Sequence, residues 1–201
     1  MSDVGQPERA TQNRVVSLFA ERLGYDYQGN WAQRDNNANI DIGLLAQNLR
    51  ARGYDDKLIA KAVVQLQKAA AVGAGRGLYE ANLEVYGLLR YGVKVRPGAG
   101  DQYETVKLVD WENAEANHFV VAEEVTVLGQ NTKRPDVVLY VNGIALATLE
   151  LKRSQVAVSE GIRQTIGNQK PEFIRPFFST VQLVLAGNDV EGLRYGVIDT
   201  P

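Results

Sequence analysis

Asp136, Glu150 and Lys152 are the residues in this chain whose types and spacing suit chemistry on a phosphodiester. They fall in Lys133 to Arg153, KRPDVVLYVNGIALATLELKR, as a Pro135-Asp136 pair, thirteen intervening residues, and a Glu150-Leu151-Lys152 triplet. Two converging carboxylates can hold Mg²⁺, and such an ion readies a water for attack on phosphorus. A lysine beside them can stabilise charge that develops in the transition state. The same residues also fit a plain structural role, in which Lys152 neutralises Glu150 at the end of a strand. A carboxylate near a sheet core is costly unless it is paired or holds a metal, so both readings explain why these charges interrupt apolar sequence.

The elements that must position these groups are two apolar runs, Val137 to Val141 and Ile144 to Leu149, joined by Asn142-Gly143. Asn-Gly between apolar runs is a strong hairpin signal. Runs that are apolar at nearly every position suit strands covered on both faces. Register then decides the chemistry. A simple two-residue loop pairs Val141 with Ile144 and Asp136 with Leu149, which leaves Asp136 and Glu150 on opposite faces. A working site therefore requires a slip of one residue. A three-residue loop, Asn142-Gly143-Ile144, or a bulge beside Asp136 would supply it.

Composition limits the alternatives. The chain has 201 residues, 45% hydrophobic and 23% charged, the balance of an ordinary globular domain. It has no cysteine and a single histidine, His118, so disulfides, thiolate zinc sites and multi-histidine sites are excluded. Oxygen ligands favour Mg²⁺, Mn²⁺ or Ca²⁺. No apolar run is long enough to span a membrane, and MSDVGQPERATQN has no apolar core of a secretory signal. Net charge is -2, yet Asn131 to Pro176 carries seven basic and four acidic residues. That local excess is compatible with phosphate contacts and equally with a solvated surface.

Helices are expected at Pro7 to Leu23, Ile40 to Arg52, from an Asp55-Asp56 cap through Ala69, at Leu78 to Tyr91, and at Ser159 to Gln169 with Ser159 as cap. Tyr25, Tyr27 and Trp31 read as a loop packed on the first helix. Strands are expected around Val93 to Val95, Thr105 to Val109, Phe119 to Val127, Val181 to Leu185 and Leu193 to Ile198. Within one of them Glu123 and Glu124 should point to opposite faces, one able to face the site. GAGRG, residues 73–77, lacks a following Gly-Lys-Ser/Thr and does not follow a strand, so it is no phosphate loop and the chain should not hydrolyse ATP alone. Residues 1–76 read as a helical N-terminal portion packed on a core formed by residues 77–201. The whole is an α/β (α+β) domain, a mixed sheet flanked by helices. Its end at Asp199-Thr200-Pro201 reads as that of a fragment of a longer protein.

The order of a Pro-Asp strand, a Glu-x-Lys strand and a Gln-bearing helix resembles the PD-(D/E)xK nuclease, or restriction-endonuclease-like, fold. LYEANLEVYGLLRYGVKV, EEVTV, KRPDVVLYVNGIALATLELKRS, SEGIRQTIGNQ and FFSTVQLVLAGNDVEGLRYG together resemble the N-terminal endonuclease domain of the type I restriction enzyme R (motor) subunit. The resemblance implies Asp136 and Glu150 as metal-binding acids with the Leu151 carbonyl, and Lys152 as the catalytic lysine. Gln164 matches the Gln of a Gln-x-x-x-Tyr motif, whereas Asn168 stands where the family carries Tyr. Lys133, Arg134, Arg153, Arg163 and Asn168 are the DNA-contact candidates. The implied cofactor is Mg²⁺ or Mn²⁺. ATP would serve only helicase-like motor domains outside this chain. The implied partners are double-stranded DNA and the modification and specificity subunits, in a prokaryotic cytoplasm. The alternative is a DNA-binding or docking module that is catalytically inactive in isolation.

Overall fold

The computed structural model describes residues 6–73 and 75–200. Its centre is a six-stranded mixed sheet of β1 (Asp26–Asn30), β4 (Phe119–Glu123), β5 (Val137–Val141), β6 (Ile144–Leu151), β7 (Leu183–Asn188) and β8 (Gly192–Gly196), in that spatial order. β1 runs parallel to β4 and β6 parallel to β7, and the other neighbours are antiparallel. The β6–β7 crossover is made by α5 (Val158–Asn168). β5 is buried at all five positions, as its unbroken apolar run requires.

Each sheet face has its own cover. On one side α1 (Gln6–Ser17), prolonged by a π turn at Leu18–Arg22, sets Val16 against Val121, Leu139, Ala147, Leu149 and Leu151. On the other, Ile174, Phe177 and Phe178 of a segment ending in a 3₁₀ turn (Arg175–Ser179) pack on Val120, Val138, Tyr140 and Ala145. A third core gathers α2 (Ile42–Ala51), α3 (Asp56–Ala70), α4 (Leu78–Tyr91) and the two-stranded hairpin of β2 (Val93–Val95) and β3 (Glu104–Val106). It closes over the turn end of the β5–β6 hairpin, through Val141 and Ile144.

The helices form for local reasons. In α3, Leu58, Ile59, Ala62, Val63, Leu66 and Ala69 make one buried stripe. Asp55 caps it by accepting from the Lys57 and Leu58 amides at 2.8 and 2.9 Å. Asp55→Ala should therefore cost about 1 kcal/mol in urea unfolding, the usual value of such a cap. α5 differs from expectation: Ser159 lies inside it, and the Glu191 carboxylate accepts from the Val158 amide at 2.9 Å in place of a local cap.

The aromatic stretch after α1 is also different. Asp26–Asn30 is a strand, not a loop, because its backbone finds β4 as a parallel partner. Tyr25 does meet α1's extension, stacking edge-on to Phe19 with centroids 5.1 Å apart, but Trp31 is buried against Tyr140 at 5.3 Å. Among the described residues no helix is long and apolar enough to cross a membrane.

Candidate active site

The β5–β6 turn is a two-residue loop. Asn142 and Gly143 sit at φ 52° and 80°, the left-handed pair that matches strand twist, and Val141 lies opposite Ile144. The expected three-residue loop does not form. Tyr140 pairs with Ala145, but Leu139 pairs with Ala147, so Leu146 is an extra residue on β6. The cores record the consequence. Ala145 shares a face with Tyr140, and Ala147 shares the other face with Leu139. In an unbroken strand 145 and 147 would point the same way.

Beyond the bulge Val137 lies opposite Leu149, and one further step brings Asp136 opposite Glu150. The odd offset is thus present, made by a bulge within β6 rather than by the turn or beside Asp136. Asp136 Oδ2 accepts from the Leu151 amide at 2.6 Å, which ties the first strand's acid to the triplet.

α5 packs over this end of the sheet. Gly161 allows the approach: a Cβ there would stand 3.2 Å from Ala186 Cβ and 3.7 Å from Glu150 Cβ. One turn on, Gln164 Nε2 donates to Glu150 Oε2 at 2.7 Å, and Asn168, itself buried, reaches Glu150 Oε1 at 3.5 Å. Asn168 thus contacts the acid from the position where the resemblance implies a Tyr. Lys152 Nζ stands 3.9 Å from Glu150 Oε2, with its side chain largely buried.

The electrostatics follow from this crowding. Burial pushes the Asp136 carboxyl up to about 6, against the pull of the Leu151 amide and the Lys152 charge. Burial also raises Glu150 well above the carboxylate range, reinforced by the Asp136 charge and by a hydrogen bond between the two carboxyls. Glu8, on the first turn of α1, adds negative potential at both. A buried Glu150 and a partly buried Asp136, with one lysine as counter-charge, are a hard-oxygen donor set that suits a divalent cation. Among the described residues no three His, Cys, Asp or Glu side chains cluster closely enough to hold a metal by themselves.

The other sequence candidates lie around this centre. Arg134 pairs with Glu124 at 2.9 Å, and the Lys133 ammonium lies 4.2 Å from the Phe173 ring centre. Arg153 is half-buried, while Arg163 is exposed and paired with Glu160. His118 contacts Asp26 at 3.1 Å, at the start of β4 and away from the acids. Sequence reading passed over Glu8, Arg9 and Gln12. The only local signal was an acid in a first helical turn, which helix polarity alone explains.

Residues 5–201 match the family described as the type I restriction enzyme R protein N terminus. The chain belongs to that family. It is 30% identical over 153 residues to the type I restriction enzyme HindI endonuclease subunit of Haemophilus influenzae, covering 72% of this chain and 14% of that protein. It is 26% identical over 189 residues to the SauMSSORF170P endonuclease subunit of Staphylococcus aureus, covering 92% and 19%. A 73-residue stretch is 40% identical to the putative MjaIXP endonuclease subunit of Methanocaldococcus jannaschii, 33% of this chain and 7% of that one. The chain thus spans less than a fifth of the length of these relatives. Its mixed sheet with flanking helices agrees with the restriction-endonuclease-like class inferred from sequence.

Proposed function

We propose that this family member is a divalent-metal-dependent endodeoxyribonuclease domain, hydrolysing phosphodiester bonds of duplex DNA within a type I restriction enzyme. The observation that carries the reading is the one-residue slip at Leu146, which brings Asp136 opposite Glu150 with Lys152 beside them. A bulge that re-aims side chains next to an active site is a recurrent device.

Asp136 and Glu150 would hold Mg²⁺ or Mn²⁺, with the Leu151 carbonyl between them in sequence. Such an ion, when bound, supplies charge neutralisation and Lewis acidity at the scissile phosphate. Gln164 and Asn168 hold the Glu150 carboxylate in place by donating to its two oxygens. The Leu151 amide holds Asp136. The Lys152 ammonium would stabilise the charge that builds on the phosphate oxygens as the water oxygen bonds to phosphorus and the P–O bond to the departing sugar oxygen breaks. Lys133, Arg134, Arg153 and Arg163 would supply contacts to the DNA backbone, which position a duplex without reading its sequence. Motor domains driven by ATP, and the modification and specificity subunits, would act with this domain in the prokaryotic cytoplasm.

The test is plasmid nicking with Mg²⁺ beside Mn²⁺ calorimetry. Asp136→Ala should lose both metal binding and nicking. Lys152→Ala should keep metal affinity and fold while cutting falls by about a hundredfold or more, because its part lies in the transition state. Wild-type cutting by Lys152→Ala, or wild-type metal affinity in Asp136→Ala, would refute the assignment.

A further inference from the structure

We propose that Gln12 is a positioning residue for the metal-holding acids, acting from α1 through the corner formed by Glu123 and Glu124. This rests on the metal-dependent reading above and extends it to an element outside the catalytic strands.

The corner departs from strand geometry. Glu124 takes φ 53°, rare for a side chain of its size, and the turn ends the alternation that would send successive residues to opposite faces. Both carboxylates consequently meet α1. Arg9 reaches Glu123 at 2.8 Å and Glu124 at 3.8 Å, and Gln12 Nε2 reaches them at 2.9 and 3.2 Å. Tyr27 adds a third donor to Glu123 at 2.6 Å. Burial opposes charge on Glu123, but the hydrogen bonds from Tyr27, Arg9 and Gln12 outweigh it and hold the carboxyl below its usual range.

The link to the site is the Asp136 backbone. Its carbonyl accepts from the Glu124 amide at 2.8 Å and lies 3.4 Å from the same Gln12 nitrogen. With Oδ2 on the Leu151 amide, both the main chain and the side chain of Asp136 are held. Docking of α1 does not itself need this amide. Thr11 and Arg14 separately tie the helix to Asp189 at 2.7 and 2.5 Å, and Val16 is packed on the sheet. A buried polar side chain is costly unless its partners are fixed, and here they are the strand end that carries Asp136.

The experiment compares Gln12→Met, of similar length but with no donor, with Arg14→Ala, which loosens the other tether. Mn²⁺ calorimetry, nicking kinetics and thermal unfolding are read on each. Gln12→Met should bind Mn²⁺ about tenfold more weakly and lose kcat while KM for DNA holds, the usual effect of losing a group behind the ligands. Arg14→Ala should keep wild-type metal affinity. Tyr27→Phe, a change at a half-exposed ring, should weaken Mn²⁺ binding in the same direction and decides the matter if Gln12→Met does not fold. Unchanged affinity in Gln12→Met, or in Tyr27→Phe where Tyr27→Phe decides, overturns the proposal. So does equal weakening in Arg14→Ala, which would mean general loosening of α1. Wild-type protein that binds no Mn²⁺ overturns the metal reading and this proposal together, whereas a failure confined to the variants leaves the metal reading standing.

Discussion

Asp136→Asn should make the metal-free chain more stable at pH 7 than the wild type, and should leave it unresponsive to Mg²⁺. The Asp136 carboxyl sits near 6 in the folded chain against an ordinary 3.8. The folded state therefore holds this proton more tightly than the unfolded state does. Its favourable contribution is complete below the unfolded value, declines as pH rises through 6, and is gone above it. Each pH unit in that window is worth about 1.4 kcal/mol, so the deficit at neutral pH is at most a few kcal/mol. Asparagine removes the charge and keeps the geometry: its oxygen can accept from Leu151 N–H and its amide can donate to Glu150. Urea unfolding of both proteins at pH 4 and pH 7 should show a gap that is small at the lower pH and widens at the higher one. Glu150 is displaced in the same direction, in part by the Asp136 charge, so the substitution also relieves Glu150 and widens the gap at pH 7 further. Added Mg²⁺ should raise the wild-type midpoint by binding the folded state, and leave the variant where it was. Parallel pH curves for the two proteins would mean that Asp136 is not held against its charge.

That opposition between stability and site explains which features could be read from sequence. α4 and the Asp55-capped α3 are legible because periodicity and caps are local. The Asn142-Gly143 turn is legible for the same reason. The parity of the hairpin could be deduced from the chemistry, since only an odd offset joins the two acids. The location of the slip could not, because it reflects which faces Ala145 and Ala147 find in three dimensions. β1, with the sequence DYQGN, has no strand pattern and becomes a strand only through parallel pairing with β4, 93 or 94 residues away. The cap of α5 comes from Glu191, beyond the next strand, and so defeats any local rule. Glu123 and Glu124 obey alternation only until the backbone turns left-handed, and that turn is stabilised by Arg9, Gln12 and Arg134 from distant sequence.

The hairpin turn itself yields the largest stability effect. Gly143→Ala should destabilise the fold by roughly 2–5 kcal/mol, from two separate causes. A left-handed backbone costs an alanine about 1–2 kcal/mol, and Gly143 sits at φ 80°. Its new Cβ would also stand 2.5 Å from Asp41 O and 2.7 Å from Leu45 N. Both are backbone atoms at the start of α2, where Asp41 N–H in turn donates to Gly143 O at 2.7 Å. No rotamer relieves that clash, so the helix must move off the turn, at the 1–3 kcal/mol typical of overpacking. Gly53→Ala separates the two causes. It shares the left-handed φ, at 89°, but has nothing within 4 Å of the added methyl, so it should show the backbone cost alone. The difference between the two urea midpoints then measures how firmly α2 is seated on the turn. Mn²⁺ affinity of folded Gly143→Ala should stay near wild type, because the bulge at Leu146 sets the register of Asp136 and Glu150 beyond the turn. Lost affinity in that variant would place control of the site in the turn instead of the bulge.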